Sequence, residues 1–224
     1  MSRALAFPIL AGALRGYRWA PAAGGKVGRF FAGTYEADQT EVFCRHVTTG
    51  STVIDLGANV GYYTLLAARM VGPEGRILAC EPEPLNASYL RRHVQANRLA
   101  NVVVEEVAVG AVSGRAGFTR GKGRGRGHFA ADGELTVPVR TLDSLVQSNE
   151  LSPGFLKIDV EGAEDDVLAG GAETLEAHRP VIFLATHGRD VHEASCARLR
   201  ALAYTLTSID GRPFAQTRKV LAMP

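Results

Sequence analysis

The chain has 224 residues, 46% of them hydrophobic and 21% charged, which suits one large core and excludes wholesale disorder. A formal net charge of +2 is too small to argue for a nucleic-acid or membrane partner from bulk electrostatics. The cysteines, Cys44, Cys80 and Cys196, stand far apart with no paired zinc spacing; this disfavours a disulfide framework and predicts a cytoplasmic setting.

At the N-terminus Arg3 precedes an apolar run that is too short to span a bilayer and is interrupted by Pro8, so no membrane span is expected. The stretch Ala20 to Ala23 loosely imitates a signal-peptide cleavage site, but residues 1–34 are read instead as a helical segment packing on the core or on a partner. Residues 35–224 form the main domain. From Ser51 onward short β-branched runs alternate with longer helical stretches, the pattern of a parallel sheet covered by helices. Strands are predicted at Thr52 to Leu56, Arg76 to Cys80, Val102 to Val107, Phe155 to Ile158 and Val181 to Ala185. Helices are predicted at Tyr62 to Met70, Leu85 to Arg98 and Val191 to Ala203, followed by strands at Tyr204 to Ile209 and near Lys219 to Ala222.

Between the third and fourth strands, Gly114 to Thr119 and Glu134 to Val139 read as a strand pair flanking a basic glycine loop, Gly121 to His128. The pair is expected to be an insertion without a core of its own. Lys122, Arg124 and Arg126 alternate with glycines there, giving donors that could close over an anionic substrate or touch RNA. No aromatic residue interleaves the run, which argues against base stacking, and a solvated loop is the preferred reading.

The stretch Val53-Ile54-Asp55-Leu56-Gly57-Ala58-Asn59-Val60-Gly61-Tyr62-Tyr63-Thr64 runs from a buried strand through a glycine turn into a helix start without spare residues. Ligands of open α/β sheets bind at the carboxyl ends of the strands, and Gly57 and Gly61 would let one approach bare backbone. A dinucleotide site would carry a further glycine where Asn59 stands. Asp55 at the strand end instead suits an ammonium or a backbone turn, as for a ligand with an amino-acid moiety and no pyrophosphate. The second strand ends in Glu81-Pro82, whose carboxylate can accept two hydrogen bonds from a ribose diol. Alternatively, Asp55 caps a turn and Glu81 is a solvated surface acid.

With these pieces in order the chain resembles the FkbM-type methyltransferases, a branch of the class I fold that uses S-adenosylmethionine. The resemblance rests on Asp55 to Thr64, Glu81-Pro82, Ala108-Val109-Gly110, Thr141-Leu142-Asp143 and the block Leu156-Lys157-Ile158-Asp159-Val160-Glu161-Gly162-Ala163-Glu164, with Gly33-Thr34-Tyr35-Glu36 upstream. It implies a Rossmann-like, doubly wound, mostly parallel seven-stranded sheet with a β-hairpin insertion before the fourth strand. It also implies methyl transfer from S-adenosylmethionine to a hydroxyl on a sugar, glycan or natural product. Carried over residue by residue, Gly57, Ala58, Asn59 and Gly61 line the methionine part and Glu81 holds the ribose. Glu106, Val107 and Ala108 face the adenine. Tyr35, Thr64 and Asn86 are second contacts, although Asn86 reads equally well as an exposed helix residue.

An alcohol nucleophile needs a base or a metal as its proton leaves. Asp159, Glu161 and Glu164 follow the fourth strand and His187 follows the fifth, all directed toward one crevice, with Lys157 pairing one of the acids. Asp159 is the expected contact to the acceptor hydroxyl, and His187 or Glu161 the expected base. Glu161 and Glu164 also read as caps of the following helix, and His187 as an exposed loop histidine. Ala185 departs from the family, which frequently carries glutamate in that strand. The acid and histidine types could bind a hard divalent ion, but nothing in their spacing demands one. Two alternatives stay open: nitrogen methylation of RNA or protein, against which the Lys157 to Gly162 block speaks, and a scaffold that binds the cofactor without catalysis.

Overall fold

The apolar runs become the strands of one seven-stranded sheet in a computed structural model of the chain, which describes residues 6–21, 27–120, 127–130 and 132–224. In chain order, β1 (Phe7–Pro8), β2 (Arg18–Trp19), α1 (Val27–Phe31) and α2 (Ala37–His46) precede the sheet. Then follow β3 (Thr52–Leu56), α3 (Tyr62–Val71), β4 (Arg76–Cys80), α4 (Pro84–Ala96) and β5 (Val102–Glu105). The middle holds β6 (Ala108–Val109), β7 (Gly114–Thr119), β8 (His128–Phe129), β9 (Leu135–Arg140) and α5 (Leu142–Ser148). The remainder is β10 (Pro153–Ile158), α6 (Glu164–Ala169), α7 (Ala172–His178), β11 (Val181–Ala185), α8 (Arg189–Ala201), β12 (Thr205–Ser208) and β13 (Lys219–Met223).

The sheet order is β12-β13-β11-β10-β3-β4-β5. The five strands from β5 to β11 pair in parallel, and β13 enters antiparallel between β11 and β12. This is the mostly parallel arrangement expected from the sequence. Successive side chains of a strand point to opposite faces, so each run feeds two cores. Val53, Ile77, Phe155 and Phe183 pack with α3 and the N-terminal residues on one side. Ile54, Leu78, Leu156, Ile182 and Leu184 pack with residues of α5 to α8 on the other. Chain order reverses between β3 and β10, and the carboxyl ends of these two strands form the switch point. Among the described residues no helix is long and apolar enough to cross a membrane.

Three expectations need correction. Among the described residues of the N-terminal segment, β1 and β2 pair as an antiparallel hairpin and only α1 is helical. The third strand stops at Glu105, and Ala108–Val109 cross into a separate four-stranded sheet, β6-β9-β7-β8. That sheet is more than a strand pair, and Ala108, Phe118, Val137 and Val139 give it a small buried cluster of its own. The basic loop residues 121–126 lie outside the described residues.

The N-terminal hairpin packs on the core through Ile9, Leu14 and Trp19, and one histidine ties it to the glycine turn. His93 on α4 is fully buried; its Nδ1 lies 2.7 Å from the Val60 carbonyl, and its Nε2 accepts the Ala20 N–H at 3.0 Å. Because Nε2 accepts, Nδ1 must carry the hydrogen and donate. Trp19 stacks on the imidazole at 4.1 Å. Burial pulls the His93 pKa from 6.5 down to about 4. The native state therefore refuses a proton that the unfolded chain accepts; this contribution to stability is full above pH 6.5 and is lost as pH falls toward about 4.

His93→Phe keeps a ring under Trp19 but leaves two buried backbone groups without partners, an expected cost of about 2–5 kcal/mol at neutral pH. Urea unfolding should show the gap between wild type and variant narrowing as pH falls below 6.5, because only the wild type carries the imidazole slope. A gap independent of pH would show that the ring does not titrate as described.

Candidate active site

At the switch point Asp55 and Lys157 are direct neighbours across β3 and β10, both almost completely buried. The Lys157 ammonium meets Asp55 Oδ1 as an ion pair at 3.1 Å and donates to the Leu56 carbonyl at 3.3 Å and the Gly57 carbonyl at 2.6 Å. An ammonium has three donors, so these three oxygens account for it. Asp55 Oδ2 takes the Thr64 hydroxyl at 2.6 Å. The carboxylate that the sequence offers to a ligand's ammonium thus already holds one from within the chain, and Thr64 faces Asp55 rather than the cleft. Burial pulls the Lys157 pKa down, but Asp55 and Asp159 outweigh it and the net shift is upward. Lys157 is a fixed cation, not a proton acceptor.

The chain then leaves β3 through a left-handed turn. Gly57 has φ 73°, and a Cβ there would strike the Asp159 carbonyl; Gly61 has φ 99°, and a Cβ there would meet Leu90. Both positions require glycine for these two reasons together. The Gly57 and Ala58 N–H groups donate to the Cys80 carbonyl at 3.0 and 2.9 Å, docking the turn on β4.

Glu81 follows β4, 5% exposed. Its Oε2 accepts the Asn59 N–H at 2.8 Å, and its Oε1 accepts the Glu83 N–H at 3.0 Å and the Asn86 amide at 3.3 Å. Of roughly four acceptor sites on a carboxylate, about one is left. Beside it the buried Asn86 Oδ1 finds no partner among the described residues. One remaining site on Glu81 and one on Asn86 make an acceptor pair suited to two adjacent hydroxyls, so the residues present fit a ribose. Asn86 is therefore buried rather than an exposed helix residue. Burial drives the Glu81 pKa up to about 7 against the pull of its hydrogen bonds. Glu83, not singled out from the sequence, caps α4 by accepting Leu85 and Asn86 N–H groups and pairs with Arg120 at 3.2 Å. The signal for it was an acid immediately before Pro84. Val107 and Ala108 are buried nearby in sequence, whereas the Glu106 side chain pairs with Arg91 at 2.7 Å on the surface. Pro82 is half-buried.

On the other side of the turn, Tyr62 and Tyr63 of α3 fasten the segment at Tyr35-Glu36. The Tyr62 hydroxyl donates to the Tyr35 carbonyl at 3.1 Å and the Tyr63 hydroxyl to Glu36 at 2.7 Å. Tyr35 stacks on Phe30 at 4.2 Å, and burial, then Glu36 and Asp159, push its phenol well above the ordinary range.

The sequence-predicted acid and histidine set comes together after β10 and β11. His187 Nε2 lies 3.7 Å from Asp159 Oδ1 and 3.6 Å from Glu161 Oε2, and its Nδ1 lies 2.9 Å from the buried Glu164. The hydrogen bond to Glu164 leads the causes that raise the His187 pKa above 6.5, ahead of the opposing burial. Asp159, Glu161 and His187 offer donor atoms within 4.8 Å of one another, a spacing that direct pairing between the imidazole and the two carboxylates accounts for. Chemically the set can take a proton from a hydroxyl and spread the resulting charge.

The sequence matches the family described as Methyltransferase FkbM domain over residues 55–206. It is 27% identical to the 2-O-methyltransferase NoeI of Sinorhizobium fredii, covering 70% of this chain and 72% of that protein. It is 24% identical to the hexuronic acid methyltransferase AglP of Haloferax volcanii, covering 69% of this chain and 64% of that protein. The fold resembles a methyltransferase FkbM from Methylobacillus flagellatus KT with a TM-score of 0.56 at 17% identity, covering 88% of this chain but only 52% of that one.

Two effects of Glu81 can be measured. Glu81→Ala should weaken S-adenosylmethionine binding by about 1.5–3 kcal/mol in calorimetry. Hydroxyl donors prefer the ionised carboxylate, so wild-type affinity should rise as pH climbs through about 7 and then level off, while Glu81→Gln should show a flat profile. In the ligand-free protein the same raised pKa makes stability fall from about pH 4.5 to about 7. Equal pH profiles of cofactor affinity for wild type and Glu81→Gln would remove Glu81 from the cofactor contact.

Proposed function

The chain belongs to the FkbM family of S-adenosylmethionine-dependent methyltransferases, and on that premise we propose that it methylates a hydroxyl of a sugar or glycan. The observation that carries this reading is that Nε2 of His187 lies within 3.7 Å of both Asp159 and Glu161, at the carboxyl edge beside the glycine turn. A hydroxyl acceptor requires proton removal, and this cluster supplies a base with the charge to steady it. The names of the two curated relatives, a 2-O-methyltransferase and a hexuronic acid methyltransferase, support oxygen as the acceptor atom and a sugar as its carrier.

Glu81 and Asn86 would hold the ribose hydroxyls, the turn from Gly57 to Gly61 would border the methionine end, and Val107 and Ala108 would border the adenine. When bound, S-adenosylmethionine supplies a methyl group already activated on sulfur. The chain's own task is to align the acceptor oxygen and receive its proton. Neutral His187 takes that proton at Nε2 as the oxygen gains its new bond to carbon. Asp159 and Glu161, both close to that nitrogen, stabilise the imidazolium. Lys157 keeps the floor of the site in place through Asp55 and the Gly57 carbonyl.

A labelled-methyl screen with the full chain against hydroxylated sugars, glycans and natural products tests this. Label should appear as an ether-linked methyl, and His187→Gln should slow transfer by about 10²–10⁴-fold with cofactor affinity retained. Label on nitrogen would overturn the acceptor assignment. Cofactor binding without transfer to any hydroxylated compound would point to the non-catalytic alternative.

A further inference from the structure

Glu164 opens α6 with its side chain at 0% exposure, and its oxygens are directed at two loops at once. Oε1 accepts the Val160 N–H at 3.2 Å and the Gly162 N–H at 3.0 Å and faces His187 Nδ1 at 2.9 Å; Oε2 accepts the His187 N–H at 3.3 Å. A helix cap needs only the contacts to its own loop. The reach to both the backbone and the ring of His187, 23 residues away, goes beyond capping. We propose that Glu164 is the positioning residue of the site: it fixes the His187 imidazole as the Nδ1–H tautomer and turns the bare Nε2 toward the acceptor hydroxyl. The inference rests on the reading of His187 as the base and adds the group through which that base is set.

The tautomer follows from the acceptor chemistry. Burial pushes the Glu164 carboxyl up, but hydrogen bonds from His187 and the backbone outweigh it and hold the net value below the ordinary one. An ionised carboxylate only accepts, so the ring nitrogen facing it must donate. Nε2 is left toward Asp159 and Glu161, where a reacting hydroxyl would be met. The other charges near the ring are Lys157, 3.9 Å behind Asp159, and Glu36, which acts on Asp159 from the start of α2. A base oriented by a third, buried group is the general arrangement for proton transfer.

Imidazole nitrogen–proton correlation spectra of the nitrogen-15-labelled, ligand-free full chain read the tautomer directly. The proposal expects neutral His187 to carry its proton on Nδ1. In Glu164→Gln the His187 titration midpoint should fall by about one unit or more. With the acceptor from the screen, kcat should drop on the order of tenfold or more while the acceptor KM stays within about twofold, the split expected of a group that acts on the base. A proton on Nε2 in the wild type, or a Glu164→Gln variant with unchanged spectrum and kcat, overturns the proposal. If Glu164→Gln does not fold, the wild-type tautomer alone decides. Full transfer by His187→Gln would instead sink the base assignment itself, and an Nδ1–H tautomer in the same preparation would locate the failure there.

Discussion

The buried pair between Lys157 and Asp55 is the constraint on which the cleft depends. Taking two ions out of water costs several kcal/mol each, and their attraction offsets that cost only with good geometry and additional hydrogen bonds. Here the ammonium also serves the Gly57 carbonyl, one residue past the end of β3, and shares the Leu56 carbonyl with the Asp159 N–H. The cation therefore allows the backbone to turn away at the switch point without stranding polar groups. Thr64 closes the other side of Asp55 and draws the first turn of α3 against the strand. Removing either ion would leave its partner charged and buried, and the turn would lose the atom that organises it.

From this turn two sets of contacts spread in opposite directions. Toward β4, the Asn59 N–H meets Glu81, which in turn holds the start of α4 through Glu83 and Asn86. Toward the N-terminus, the Val60 carbonyl meets His93 and, through it, Ala20 and the hairpin. The glycine turn is thus clamped from both sides by buried polar side chains rather than by apolar packing alone. Around its open side stand Asp159, Glu161 and Glu36, with Glu164 buried behind His187; among the described residues His187 faces them once Lys157 is assigned to Asp55. A cleft with that excess of negative charge favours a cationic ligand, which agrees with a sulfonium cofactor and with the missing phosphate turn at Asn59.

What could be read from the sequence was local. The strands at Thr52, Arg76 and Val181 follow their apolar runs closely, because buried parallel strands are continuous apolar segments. The glycine turn and Glu81 were legible because backbone conformation and strand ends leave a residue signature. The N-terminal hairpin was not, since its two-residue strands carry no periodicity and are held by His93, 73 residues from Ala20. Helices α5, α6 and α7 are six or seven residues long, too short for a 3.6-residue pattern to emerge. Glu164 reads as a cap at close range, and only the fold brings His187 to it.

Backbone strain marks the same edge without reference to any relative. Among the described residues, the non-glycine positions with positive φ are Glu36, Asn59, Arg98, Glu150, Arg179 and Ala203, together with Glu161. Arg98, Glu150, Arg179 and Ala203 each sit just past a helix, at the ends of α4, α5, α7 and α8, where a left-handed residue is an ordinary way to finish. That explanation leaves Glu36, Asn59 and Glu161. Each is in a conformation costing about 1–3 kcal/mol, and each borders the cleft: Glu36 under Tyr63, Asn59 on Glu81, Glu161 beside His187. Strain persists only where surrounding contacts over-determine it, and here the tyrosine hydroxyl, the Glu81 carboxylate and the Glu164 hydrogen bonds to Val160 and Gly162 supply those contacts. The residues that fold at a local cost are those that border the proposed cleft, and the buried acids behind them are what keeps them there.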